Sequence, residues 1–169
     1  MREDVDLGQL DAIWRLGGAS YLPLRLILVA KLIDRYLDGL LADKADLSIS
    51  QWRVVAQLAM LKQGTVRRMA RQACVDPAEV SRAAALLERR GLVRRQENAL
   101  DRRSATFSLT PAGEEHYLRF HPYWVRFSET LVRRIEATDR SAMEHGLTRI
   151  ARELLSLLGQ GNVQEPRAR

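Results

Sequence analysis

The stretch that decides the fold is Asp76–Arg95, DPAEVSRAAALLERRGLVRR. Asp76 can accept from the backbone N–H of Glu79 while Glu79 reaches back to residue 76, and Pro77 stands where a starting helix needs no N–H donor. Val80, Ala83, Ala84 and Leu87 then recur at i, i+3, i+4 and i+7, which sets them on one face toward a core. Gly91 supplies a left-handed turn residue, so the spacing predicts a helix over residues 77–90. Its opposite face carries Ala78, Ser81, Arg82, Ala85 and Arg89.

Outward on the C-terminal side, Leu92-Val93 and the alternating Ala105-Thr106-Phe107-Ser108-Leu109 read as two short strands. The charged run Gln96 to Arg103 joins them as a loop, and Thr110-Pro111 opens a long helix. On the N-terminal side, Thr65 opens a short helix to about Ala73. Before it, Ser50 is the expected cap of a helix to about Leu61, with Trp52, Val55, Leu58 and Ala59 apolar and Gln63-Gly64 as its stop. Three short helices and a two-stranded hairpin make a winged helix-turn-helix.

Further out, Ser20 is the expected cap of a helix running to about Asp43, apolar on more than one face; residues 5–16 form a weakly amphipathic segment closed by Gly17-Gly18. Residues 138–158 predict another amphipathic helix, with Thr138 as N-cap and Leu147, Ile150, Ala151, Leu154, Leu155 and Leu158 on its apolar side. A small domain cannot cover that much apolar surface alone, so the terminal helices read as a dimer interface. The expected fold class is mainly α with a small β-hairpin wing: a winged helix-turn-helix with N- and C-terminal dimerisation helices. The expected organisation is residues 1–46 as N-terminal dimerisation helices, 47–110 as the DNA-binding winged domain, 111–160 as C-terminal dimerisation helices and 161–169 as a flexible tail.

Charge narrows the function. The chain has 169 residues and a net charge of +6, and residues 50–110 hold twelve Lys and Arg against five acids. The rest of the chain is within one charge of neutral, so the whole surplus belongs to the winged segment, as a phosphate-binding surface requires. With 46% apolar and 28% charged residues the composition is that of a globular chain. Charges at Arg25, Lys31, Asp34, Arg35 and Asp38 interrupt the first apolar stretch, which excludes a membrane span there. One cysteine excludes an internal disulfide framework, and the acidic start Met-Arg-Glu-Asp-Val-Asp is unlike a secretory signal, so a cytoplasmic setting is expected.

The outer face of the 77–90 helix is small near its start, so it can sit deep in a groove. There Arg82 can pair two hydrogen bonds with a guanine edge and Ser81 can reach a phosphate or a base. Asp101-Arg102-Arg103 places two bases at a loop tip, suited to the negative potential of a narrow minor groove, with Asp101 bracing the loop. The plain alternatives are a solvated helix face and a solvated turn.

Six segments, Leu47-Ser-Ile-Ser-Gln-Trp-Arg-Val-Val, Met69-Ala-Arg, Asp76-Pro-Ala-Glu-Val-Ser-Arg, Leu87-Glu-Arg-Arg-Gly-Leu-Val-Arg-Arg, Asp101-Arg-Arg and Leu109-Thr-Pro-Ala-Gly, resemble the MarR family of regulators in order and spacing. The resemblance spans about residues 20–158. It implies a homodimeric, non-enzymatic transcription factor, usually a repressor, on a pseudo-palindromic operator of double-stranded DNA. It also implies major-groove contacts at Ser81 and Arg82, a minor-groove contact at Arg103, and an acid at Asp76 that sets the wing's posture. Cys74 lies where many relatives place glycine, and Glu79 puts an acid near the DNA-facing end of the helix.

The family often binds small aromatic or phenolic acids. Tyr117, Phe120, His121, Trp124 and Phe127 lie near one face of the long helix, with Trp52 and Tyr36 potentially opposite and Pro122 as a kink. Tyr36, Trp52, Tyr117, His121 and Trp124 are therefore the candidate effector residues; core or dimer packing is the alternative. His116, His121 and His145 lack the i, i+4 pairing that joins two imidazoles on one metal, so no metal or cofactor is expected. Cys74 is expected to be a small buried hydrophobe. Two other function classes stay open: a winged-helix scaffold for an acidic protein partner, and a small enzyme using the aromatic cleft, for which no nucleophile elbow or phosphate-binding glycine loop is present.

Overall fold

Ser48, not Ser50, starts the first helix of the winged segment. In the computed structural model, which describes Trp14, Arg15 and residues 21–97 and 105–159, the Ser48 hydroxyl accepts from the Gln51 backbone N–H at 3.3 Å. The Gln51 side chain accepts from the Ser48 N–H at 2.9 Å, completing a capping box. The expectations for residues 5–13 and 16–20, for Asp101, Arg102 and Arg103 at the wing tip, and for the 161–169 tail lie outside the described residues.

Helix α1 spans Leu22–Lys44 and α2 spans Ile49–Leu61. Only Leu37 and Leu41 of α1 are buried; Leu22, Leu24, Ile27 and Val29 are exposed large hydrophobics. Asp46 takes a positive φ between the two helices, and Arg90 holds it there through its carbonyl at 2.5 Å and its carboxylate at 3.0 Å. From α2, Trp52, Val54, Val55 and Leu58 enter the core.

Strand β1 (Gly64–Thr65) leads into α3 (Val66–Ala73), whose start is capped by Thr65 accepting from the Arg68 N–H at 3.2 Å. Cys74 closes α3 in the left-handed conformation at φ 53°. It is exposed, which corrects the expectation of a buried hydrophobe. Its backbone conformation, one that glycine adopts at no steric cost, explains why glycine suits this turn.

Helix α4 spans Pro77–Arg89 with Asp76 as its cap. The cap differs from the expected box: Asp76 accepts from Ala78 N–H at 2.7 Å, and the Glu79 carboxylate instead accepts from the Ser50 hydroxyl. Val80, Ala83, Ala84 and Leu87 are buried, as their spacing predicts. The helix ends with Leu92 N–H bonded to Leu87 O at 3.0 Å and Gly91 N–H to Glu88 O at 2.9 Å, with Gly91 at φ 71°. This pair satisfies the last carbonyls through a glycine in the left-handed region.

The sheet has three strands, not two. Strands β2 (Val93–Glu97) and β3 (Ala105–Leu109) pair antiparallel from Val93 opposite Leu109 to Glu97 opposite Ala105, and β1 adds to the other edge of β3 at Phe107 and Thr106. The strand therefore runs on past Val93 through Arg94 and Arg95, and Gln96 and Glu97 belong to it and not to the loop. They stand exposed on an edge strand, where no alternation of polar and apolar residues is imposed.

Helix α5 spans Pro111–Val132 and contains Pro122; α6 spans Ala137–Gly159, so Thr138 lies inside its first turn and is not its cap. At the head of α5, Thr110 donates its backbone N–H to Leu92 O at 3.1 Å and its hydroxyl to Gly91 O at 2.7 Å, while that hydroxyl accepts from Gly113 N–H at 3.1 Å. Two compact units divide the chain, Met1–His121 and Pro122–Arg169. In the second, no residue of α6 is buried, and Met143, Leu147, Leu154, Leu155, Leu157 and Leu158 are exposed. No described helix is long and apolar enough to cross a membrane.

Candidate nucleic-acid interface

The outward face of α4 is built by the same periodicity that buries its inner face. With Val80, Ala83, Ala84 and Leu87 inside, Ala78, Ser81, Arg82, Ala85 and Arg89 are all exposed. Arg82 and Arg89 make no hydrogen bond or ion pair with a described residue, so each guanidinium keeps its donors for a ligand. Arg90, one residue further round, is by contrast committed to Asp46.

Helix α3 adds a basic element that motif reading passed over. Its buried side is Met69 and Ala70, and Arg67, Arg68 and Arg71 are exposed opposite it. The signal was present in VRRMARQA, where three arginines flank the buried Met69-Ala70 pair. In β2, Arg94 donates to the Ser108 hydroxyl across the strand pair at 2.8 Å, and Arg95 is exposed. The exposed arginines thus come from two helices and an edge strand. Asp76 is exposed and engaged as a cap. The residues with which it would set the wing's posture are not among those described.

The aromatic candidates separate. Trp52 is 5% exposed. Tyr117 stacks on it with ring centres 5.6 Å apart, and Phe120 meets it edge-on at 4.6 Å. His121 lies against Tyr117 at 5.1 Å. Tyr36, by contrast, is 58% exposed. Trp124 belongs to the second compact unit, where Phe127 is its neighbour at 6.2 Å. Trp52, Tyr117 and His121 thus form one contiguous packed cluster, the geometry of core packing, in which edge-on and offset rings add to area burial. His116 has a role that sequence reading missed: its Nε2 lies 2.7 Å from the Ala45 carbonyl, tying the head of α5 to the end of α1. Among the described residues no group of three or more His, Cys, Asp or Glu could hold a metal ion.

A three-helix core with a wing sheet defines the fold class, a winged helix-turn-helix, and the third helix carries on its outer face an arginine with no partner among the described residues. Residues 47–105 match the model of the MarR family. That match lies within the winged segment, and members of the MarR family are transcriptional regulators, not enzymes. No curated protein matches the chain in sequence. Among solved structures, a MarR/EmrR family transcriptional regulator from an Acinetobacter species is similar with a TM-score of 0.75 at 17% identity, over 81% of this chain and 96% of that one. A MarR family regulator from Streptomyces coelicolor, solved in complex with DNA, has a TM-score of 0.73 at 24% identity, over 82% and 93%. A Bordetella bronchiseptica protein whose DNA binding is regulated by 6-hydroxynicotinic acid has a TM-score of 0.59 at 20% identity, over 73% and 98%.

Proposed function

We propose that the protein is a cytoplasmic homodimeric repressor that binds a pseudo-palindromic operator, with α4 in the major groove and the wing in the adjoining minor groove. The observation that carries this reading is Arg82, exposed and without a partner among the described residues, between Ala78 and Ala85 on a helix whose other face is buried. Ala78, Ser81, Arg82 and Arg89 are the major-groove set, and Arg102 and Arg103 the wing set, with Asp76 and Asp101 bracing the wing. Arg67, Arg68 and Arg71 of α3 would hold the phosphates that fix register. The exposed leucines of α6 and the apolar face of α1 support a dimer, since burying them against a second copy removes them from water. A two-fold dimer presents its recognition helices about one helical turn of DNA apart, roughly 10 base pairs.

Relief by a small aromatic acid is a second element of the reading. It is favoured by the Bordetella relative and by the cluster of Trp52, Tyr117 and His121. Because Trp52 is buried, such a ligand would enter by displacing the Tyr117 ring. Selection of bound sequences from a random duplex pool, with and without a panel of aromatic acids, tests both parts. A two-fold symmetric site is expected from the first arm and its loss with one acid from the second. Binding that is equally weak on every duplex would overturn the operator reading and favour an acidic protein as partner.

A further inference from the structure

Glu79 is an acid in the first turn of the helix proposed to enter the groove, where a free carboxylate would oppose the phosphates. It is half-buried while Ala78, Ser81 and Arg82 around it are exposed. Its Oε1 accepts from the Ser50 hydroxyl of α2 at 2.5 Å, across 29 residues of sequence. Glu79 and Ser50 line one small cavity of about 10 Å³ together with Arg53, Gln57 and Val80, so the carboxylate turns toward α2 and away from the outer face. No described base forms an ion pair with it: Arg53, which also lines that cavity, is paired with Asp34 of α1 at 2.9 Å. The carboxylate is held by a neutral hydroxyl.

We infer that Ser50 is a positioning residue for DNA binding: it latches the Glu79 carboxylate inward so that the leading end of α4 meets DNA without an opposing charge. The inference rests on the operator reading above. It gives the first helix of the winged segment a say in the electrostatics of the third. A hydroxyl is suited to this role because it donates to the carboxylate without adding a charge of its own, and the donation spares the Asp76 cap, which needs only the Ala78 N–H.

Four forms of the full-length protein, wild type, Ser50→Ala, Glu79→Gln and Ser50→Ala/Glu79→Gln, are titrated against the selected duplex at two salt concentrations, with thermal melting of each as a control for folding. Ser50→Ala is expected to bind roughly 3- to 10-fold more weakly at low salt, with the deficit shrinking as salt rises, because the released carboxylate acts through a screened field. Glu79→Gln keeps an oxygen that accepts from Ser50 and should bind at least as well as wild type. The double variant should return to within about twofold of wild type, since the charge that Ser50 restrains is gone. A double variant as weak as Ser50→Ala, or a deficit independent of salt, would overturn the latch and leave Ser50 with a packing role. Unchanged binding by Ser50→Ala would overturn it as well. Failure of the wild type to prefer the selected duplex over random DNA would instead defeat the operator reading.

Discussion

At Arg82 the guanidinium stands on a helix face flanked by alanines, with no described residue to occupy its five N–H donors. Arg82→Ala should cost roughly 1–3 kcal/mol on the operator and relax preference at one base pair, as read by competition between single-base operator variants. Equal loss on operator and random duplex would assign Arg82 to the backbone. Gly113 governs stability and not recognition: a Cβ built there would fall on the carbonyl oxygen of Leu92 and crowd Leu109, and the clash is with backbone. Gly113→Ala should destabilise at the upper end of about 1–3 kcal/mol, lowering the urea midpoint without changing the slope of the transition. The inner and outer faces of α4 were legible because a 3.6-residue period separates them whatever surrounds the helix. The partner of Glu79 was not, because a local capping box and a bond to Ser50 draw on the same carboxylate, and choosing between them requires knowing where α2 lies.

Among the elements, α3 carries bases without a motif. Single alanine substitutions at Arg67, Arg68 and Arg71 should weaken binding to all sequences alike, each lowering the log–log salt slope by roughly 0.9 if that arginine holds a phosphate. A change in sequence preference would move the residue to the base-reading set. The same scale shows where sequence reading reached and where it stopped. The three short helices and the strand Ala105–Leu109 were visible from caps, periodicity and alternation. Strand β1 was not, since two residues carry no period, and its pairing with Phe107 and Thr106 exists only once the chain has folded back. The choice of Ser48 over Ser50 was legible in principle: Ser48 has Gln51 three residues on, the pattern of a capping box, whereas Ser50 has Arg53. The aromatic residues of α5 could be assigned to a face from sequence. That Trp52 is sealed by Tyr117 and Phe120 could not, because helical spacing states direction and not what lies opposite.

For the whole molecule, an α6 with no buried residue sets the expectation of a second copy. Leu154→Glu combined with Leu158→Glu should convert the proposed dimer to a monomer in sedimentation equilibrium. Operator affinity should fall by far more than affinity for an isolated half-site, because linked binding to two half-sites is lost. A variant that stays dimeric would place the interface on other surfaces. One junction bears on how such a protein would respond to DNA. The end of α4 at Gly91, the root of the wing at Leu92 and the first turn of α5 at Gly113 are all bonded to the single residue Thr110. A tug on the wing therefore reaches the head of α5 through short, stiff linkages with no slack loop to absorb it, and Thr110 works as a rivet between a lever and its shaft.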